Sequence, residues 1–198
     1  MGELMKPSLD VGMLYGYTEY LRMWELQRGR IRIFDSMSSS EAERVGRESR
    51  WLIQNHKTGE VQVYICSPGG GAYHAFAIYD QLRRLDKHIQ VTTHVEGWAA
   101  SAACMIVLQA GRDRVATPSS RFLLHEVRRW VFFATERTSD LVDEVTEMKA
   151  IERQIVQLLA SRCSKTEEEV REFISRRERW MSAQEALDWG LIDRLEGL

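Results

Sequence analysis

Val61-Gln62-Val63-Tyr64-Ile65-Cys66-Ser67-Pro68-Gly69-Gly70-Gly71-Ala72-Tyr73-His74-Ala75 is the stretch on which the fold turns. Val61, Val63 and Ile65 point the same way at a period of two, which is a strand with one buried face. Proline and three consecutive glycines end that run. Beyond them Ala75, Ile78, Leu82 and Leu85 recur at helical spacing, and Ile89, Val91, Thr93 and Val95 then alternate again. Strand, helix, strand and a further apolar helix, with no hairpin signal between them, is the pattern of a parallel sheet with crossover helices, an α/β architecture of stacked βαβ units.

Upstream, a serine run at positions 36–40, with Met37 inside it, reads as a loop feeding a helix. Ser38 and Glu41 fit a capping box, with Val45 and Leu52 among the apolar positions beyond. Downstream, a long amphipathic helix is predicted from about Thr138 to Cys163, with Leu141, Val145, Met148, Ile151, Ile155, Leu158 and Leu159 on one stripe. At 1.5 Å per residue it reaches roughly 39 Å. Two arrangements suit such a helix: it projects and its stripe meets a partner, or it lies across its own sheet. A last helix starts at Ser182 with Glu185 and stops at Gly190, before Leu191-Ile192. The first 26 residues are rich in Met, Leu, Tyr and Trp without a clean period, and suit either an arm over the core or an interaction segment. The organisation expected is an N-terminal arm over residues 1–30 and a single domain over residues 31–198, the long-helix region spanning about 127–165.

Composition narrows the function. The 198 residues suit one domain, and 44% hydrophobic with 28% charged residues excludes wholesale disorder. Lys and Arg number 27 against 29 Asp and Glu, a net charge of −2 without the basic excess of a nucleic-acid binder. The longest nearly apolar run, Trp98 to Leu108, is far short of the roughly 20 residues that span a bilayer. The first ten residues lack a basic start followed by an apolar stretch, so no secretion signal is expected. Cys66, Cys104 and Cys163 form neither a disulfide framework nor a CxxC pair, as in a reduced, intracellular protein, cytoplasmic or in an organelle lumen of bacterial origin. Neither metal-ligand spacing nor a Walker loop, Rossmann fingerprint or HExxH motif occurs, so no metal site is expected.

Four features carry chemistry. The glycines after Ser67-Pro68 allow backbone N–H groups to face a ligand, although a plain strand-to-helix turn needs the same residues. Gly97-Trp98-Ala99-Ala100-Ser101-Ala102-Ala103 places a serine after a strand, at the start of an expected apolar helix. There unpaired N–H donors stabilise an oxyanion, and a small packing serine among alanines is the alternative. His125 ends the run Arg121-Phe122-Leu123-Leu124; His56, His74, His88 and His94 lack such a setting. Glu178, within Arg176-Arg177-Glu178-Arg179, reads by itself as part of a solvated charge cluster. Taken together, a serine, a base, an acid and an oxyanion hole are what nucleophilic acyl transfer requires, and successive strand ends can supply them.

These segments resemble the proteolytic subunits of the Clp protease (ClpP), within the wider ClpP/crotonase fold. The resemblance runs from about residue 61 to 195, roughly two-thirds of the chain. It rests on Ser67-Pro68-Gly69-Gly70, Ala77-Ile78-Tyr79-Asp80, Ala99-Ala100-Ser101, Pro118-Ser119-Ser120-Arg121 with His125, Met181-Ser182-Ala183-Gln184-Glu185-Ala186 and Gly190-Leu191-Ile192-Asp193, in one order. It implies a serine endopeptidase with Ser101 as nucleophile, His125 as general base, and the N–H groups of Gly70 and Ala102 as oxyanion hole. It further implies heptameric rings, stacked in pairs through the long helix as a protruding handle. An ATP-driven AAA+ unfoldase ring then delivers unfolded polypeptide, so ATP belongs to the partner and no cofactor to this chain. N-terminal segments line the axial pore in that family, and the apolar start of this chain suits such a gate. No nucleic acid and no membrane enter this picture.

The chain also departs from that pattern. The third catalytic residue of the family is an aspartate; Glu178, two positions before Trp180, stands at the matching place. Arg177 matches an arginine that links the two rings, but Arg176 replaces its usual acidic neighbour. After His125 a Gln-Pro and glycine-rich strand is replaced by Glu126-Val127-Arg128-Arg129-Trp130-Val131-Phe132-Phe133. Three functions therefore stand: an active endopeptidase, a catalytically weak paralogue completing a mixed ring, and a crotonase-like acyl-CoA enzyme using the same oxyanion arrangement.

Overall fold

Every second residue of Glu60–Ser67 is buried, and Val61, Val63 and Ile65 have no exposed surface. This strand lies within a computed structural model that describes residues 9–56, 59–127, 138–175 and 178–197. Along the chain run α1 (Leu9–Leu26), β1 (Arg30–Ile33), α2 (Ser39–Asn55), β2 (Glu60–Ser67), α3 (Ala72–Asp86) and β3 (Gln90–Ala100). A π-helical turn (Ala103–Val107) and a 3-10 turn (Leu108–Ala110) lead to β4 (Asp113–Ala116) and β5 (Arg121–Leu124). Then follow α4 (Thr138–Cys163), α5 (Glu167–Ile174), β6 (Arg179–Ser182), α6 (Ala183–Trp189) and β7 (Arg194–Leu195). Strands β1-β2-β3-β4-β7 form one parallel path. The α/β fold class read from the alternation is therefore the fold of the chain.

The longest strand, β3, serves two partners in turn. Thr92–Val95 face residues 113–116 of β4, whereas Trp98–Ala100 face residues 121–123 of β5. Between those halves the register against β2 jumps from Ile65↔Val95 to Ser67↔Ala99. That is a bulge on β3, and Gly97 within it has φ of 78°, a conformation that penalises any Cβ. The bulge turns the end of β3 away from β4 and onto β5, and so decides where Ser101 emerges. Strand β5 pairs in turn with antiparallel β6, Arg121↔Ser182 through Leu124↔Arg179.

Helix signals were met unevenly. Ala75, Ile78, Leu82 and Leu85 of α3 are fully buried, as their spacing predicts. Ser182 and Glu185 form a complete capping box on α6, and Gly190 ends it in the left-handed conformation. Ser38 caps α2 by accepting from the Glu41 N–H, but the expected reciprocal bond is absent because the Glu41 carboxylate pairs with Arg44. Central β3 is buried on both faces over residues 91–95, so its alternation does not separate core from surface. Ile89 precedes the strand.

The two arrangements open for the long helix are divided along it. In α4, Ile151, Ile155, Val156, Leu159 and Cys163 are buried against the body, whereas Val145 is 50% exposed. The missing period near the N-terminus has a physical cause: at Gly16, φ 71° and ψ 155° break α1 into two pieces of different phase. Its C-terminal end joins the body. Leu26 is buried there, and Arg22 Nε donates to the Glu48 carboxylate of α2 at 2.5 Å. Among the described residues no helix is long and apolar enough to cross a membrane.

Candidate active site

Ser101 is the first residue beyond β3, and its N–H donates to the Leu123 carbonyl of β5 at 2.8 Å. Its φ is 54°, a left-handed conformation that costs a residue with a Cβ about 1–3 kcal/mol. The surroundings hold it there. The N–H groups of Cys104 and Met105 both donate to the Ser101 carbonyl, at 3.2 and 2.9 Å. The Cys104 thiol lies 3.4 Å from that oxygen and 3.1 Å from the Leu123 carbonyl, and burial pushes its pKa up, so it stays a protonated donor. Ser164 has a similar φ of 53° just beyond α4. Backbone conformation alone therefore does not mark the site; the bulge and the β5 contact do. The apolar helix expected after Ser101 is instead a π turn followed by a 3-10 turn.

The glycine loop is clamped against this serine from the other side. Gly69 has φ of 92°, and a Cβ there would stand 2.6 Å from the Ala100 carbonyl oxygen and 2.8 Å from Ser101 Cβ. Gly70 has φ of 145°, and a Cβ on it would strike the Met37 backbone at 2.6 Å. Met37 makes a β-bridge to Gly70, its N–H donating to the Gly69 carbonyl at 2.7 Å while Gly71 N–H donates to the Met37 carbonyl at 2.9 Å. The turn is thus locked by its backbone. Among the described residues the N–H groups of Gly70 and Ala102 have no backbone acceptor.

His125 follows β5 directly. The β5–β6 ladder ends at Leu124↔Arg179, and His125 and Glu178 are the residues that adjoin that last pair on either strand. Glu178 is exposed. The imidazole Nδ1 donates to the carbonyl of Glu126. That bond fixes the proton on Nδ1 and leaves Nε2 as the acceptor, the tautomer a base requires. A carbonyl, unlike a carboxylate, adds no full negative charge to steady an imidazolium.

A cavity of about 400 Å³ brings Ser101, His125, Gly70 and Ala102 to one wall. Residues Glu144, Glu147, Met148, Ile151 and Ile155 of α4 form the facing wall. Four of the predicted site positions thus meet at one cavity. Glu178 is not among its lining residues, and Arg177 and residues 128–133 lie outside the described residues. A hydroxyl, an imidazole and two unused N–H donors around an apolar-walled cleft can carry out nucleophilic attack on a carbonyl. Among the described residues no group of three or more His, Cys, Asp or Glu side chains could hold a metal ion.

Several contributors escaped the sequence reading. Met37 looked like a residue in a serine loop, and its burial at 2% exposure beside Gly70 has no local signal. Tyr73 and Glu147 also line the cavity, and the Tyr73 hydroxyl donates to the Glu147 carboxylate. They are 74 positions apart, so only the fold joins them. Gly69 could have been found as the first of the glycine run, but not its contact with Ser101.

Comparison with known proteins bears on the same region. The family model described as Clp protease matches residues 16–196, which carries the likeness well upstream of residue 61, where the resemblance begins. ATP-dependent Clp protease proteolytic subunit 1 of Protochlamydia amoebophila is 32% identical over 172 residues, 86% of this chain and 81% of that protein. The ATP-dependent Clp protease proteolytic subunit of Porphyromonas gingivalis is 31% identical over 137 residues, 69% of this chain and 59% of that protein. Proteolytic subunit 2 of Corynebacterium glutamicum is 31% identical over 146 residues, 73% of this chain and 69% of that protein.

Proposed function

This chain belongs to the Clp protease family of peptidases, and from that premise we propose that it is a serine endopeptidase subunit of a ring-shaped, self-compartmentalising protease. Ser101 Oγ attacks the scissile carbonyl while His125 Nε2 takes its proton. The N–H groups of Gly70 and Ala102 hold the oxyanion of the tetrahedral intermediate. Collapse breaks the C–N bond, the imidazolium returns its proton to the leaving amine, and an acyl-enzyme ester remains on Ser101. Water activated by the same imidazole then releases the acid and restores the serine. Glu178 is the orienting acid, reaching His125 from the β6 side once the imidazole turns from the Glu126 carbonyl.

The observation that carries this reading is the common cavity of Ser101 and His125 with two N–H donors that have no backbone acceptor. Family membership favours peptide over acyl-CoA as the substrate. The ring would be heptameric, alone or stacked in pairs with α4 as the handle, in the cytoplasm. An AAA+ unfoldase would deliver unfolded polypeptide, with Arg177 a candidate contact between rings. No cofactor is required by this chemistry.

A second reading has its own support. With His125 Nδ1 on a main-chain carbonyl and Glu178 outside the cavity, the chain is a catalytically weak member of a mixed ring with another Clp-type subunit. Labelling with a fluorophosphonate probe, read by intact mass, separates the two. An active triad labels the parent, not Ser101→Ala, and slows in Glu178→Ala by a factor on the order of 10²–10⁴. An unlabelled parent that becomes labelled only beside a second Clp subunit supports the mixed ring. Labelling that persists in Ser101→Ala refutes both.

A further inference from the structure

Ser67 ends β2 with none of its surface exposed, two residues before Gly69. Its hydroxyl works in two directions: Oγ donates to the Asp35 carbonyl at 2.6 Å and accepts the Gly69 N–H at 3.2 Å. A hydroxyl has one proton to give and lone pairs to accept with, so both bonds form together. They join the glycine turn to the segment after β1, 32 positions upstream of Ser67. The Met37 N–H then takes hold of the Gly69 carbonyl at 2.7 Å. Gly69 is therefore gripped at both ends, its N–H by Ser67 and its carbonyl by Met37. That carbonyl and the Gly70 N–H belong to one planar trans peptide and point in opposite directions. Holding the one aims the other, on a residue that lines the cavity with Ser101.

We propose that Ser67 is a positioning residue for the peptidase reaction: its buried hydroxyl fixes the Gly69–Gly70 peptide so that the Gly70 N–H meets the oxyanion. The inference rests on the reading of Ser101 as the nucleophile of this cavity. Glycine has more backbone freedom to lose than any other residue, and here three follow one another. A donor on such a run must be ordered before it can stabilise charge, and an oxyanion hole works because that ordering is already done. Without the hydroxyl, the Gly69 N–H and the Asp35 carbonyl both lose this partner, and the two Met37 bonds hold the turn without it. The Gly70 donor is then displaced rather than deleted, which costs roughly 10- to 100-fold in the chemical step. Ser67 does not itself line the cavity, so ground-state binding there is left as it was.

The test follows fluorophosphonate labelling of the full-length protein over a range of probe concentrations, which separates probe binding from the chemical step. All rates are taken at a temperature where calorimetry shows each variant folded. Ser67→Ala is expected to lower the maximal labelling rate roughly 10- to 100-fold, while the half-saturating probe concentration stays within about twofold. Ser67→Thr and Ser67→Val are close in shape and differ in the hydroxyl, and Ser67→Thr should label faster by roughly the same factor. Where the added methyls prevent folding, the split in Ser67→Ala decides alone. A parental maximal rate in Ser67→Ala, a loss confined to the half-saturating concentration, or folded Thr and Val variants that label at one reduced rate overturns the proposal. A parent that does not label at all fails earlier, at Ser101, and removes the proposal together with the nucleophile reading.

Discussion

Replacing Gly69 by alanine should damage both the fold and the site, and the two losses can be separated. At φ of 92° the new side chain occupies a left-handed conformation, which costs about 1–2 kcal/mol. Its Cβ would also stand 2.6 Å from the Ala100 oxygen, 2.8 Å from Ser101 Cβ and 3.0 Å from the Ala102 N. Two of those atoms are backbone and cannot swing aside, so relieving the overlap adds about 1–3 kcal/mol of packing strain. The sum, about 2–5 kcal/mol, lowers the melting temperature by roughly 4–20 °C in a domain of this size.

Gly59→Ala is the control. Gly59 has nearly the same φ, 90°, and among the described residues no atom lies within 4 Å of where a Cβ would stand. It therefore carries the conformational cost of about 1–2 kcal/mol without the overlap. In Gly69→Ala the relief must push the glycine loop away from the end of β3, separating Ser101 from the Gly70 N–H. A misplacement near 1 Å costs on the order of 10²-fold in rate. Scanning calorimetry and the fluorophosphonate labelling rate, measured on both variants, give the two readouts. Equal melting temperatures for the two variants, with Gly69→Ala labelling at the parental rate, would refute the claim that the loop is seated on the nucleophile.

Two further outcomes follow from buried charge. The His94 imidazole is buried with neither nitrogen hydrogen-bonded, stacked at 5.0 Å on the Tyr64 ring. Burial holds its pKa below the ordinary value, reinforced by Arg194 and opposed by Glu196, Glu60 and Asp113. The unfolded chain then binds the extra proton, so this stability is complete above about pH 6.5 and is lost as pH falls through the folded value. His94→Phe should flatten the melting-temperature profile between about pH 7.5 and 5.5, and an unchanged slope would assign the acid sensitivity elsewhere. Asp193 anchors Arg114, 4% exposed, through Nε at 2.9 Å, Nη2 at 2.5 Å and the backbone N–H at 2.8 Å. Asp193→Ala removes the carboxylate from that guanidinium, while the Gln109 carbonyl oxygen, at 2.7 Å, still accepts from it. Discounted for the partial exposure of Asp193, the loss is about 2–3 kcal/mol, or roughly 4–12 °C by calorimetry. A change under about 1 °C would mean that the β4–β7 junction does not depend on this pair.

The sequence legibly encodes whatever depends on neighbours along the chain. Alternation at residues 61–65, helical spacing in α3, the capping box of α6 and the span Thr138–Cys163 all hold because local hydrogen bonding and one-sided burial leave a periodic trace. Where tertiary partners compete, the trace misleads. Glu41 gives up its capping bond for Arg44, and β3 hides its period by being buried on both faces. Of the site, the residue types at Ser101, His125, Gly70 and Ala102 were visible from motif and resemblance, but not their meeting in one cavity.

Residue order by itself determined an α/β chain of crossover units and a short list of chemically able side chains, because periodicity and turn chemistry are local properties. Only tertiary structure decided which of them act on one volume. The bulge at Gly97 moves β3 from β4 to β5 and delivers Ser101 beside Leu123, the antiparallel β5–β6 ladder holds the strand that ends just before His125, and Met37 pins the glycines. Each of those decisions joins residues remote in sequence through hydrogen-bond register. Register is fixed by the burial of whole strand faces rather than by any single motif.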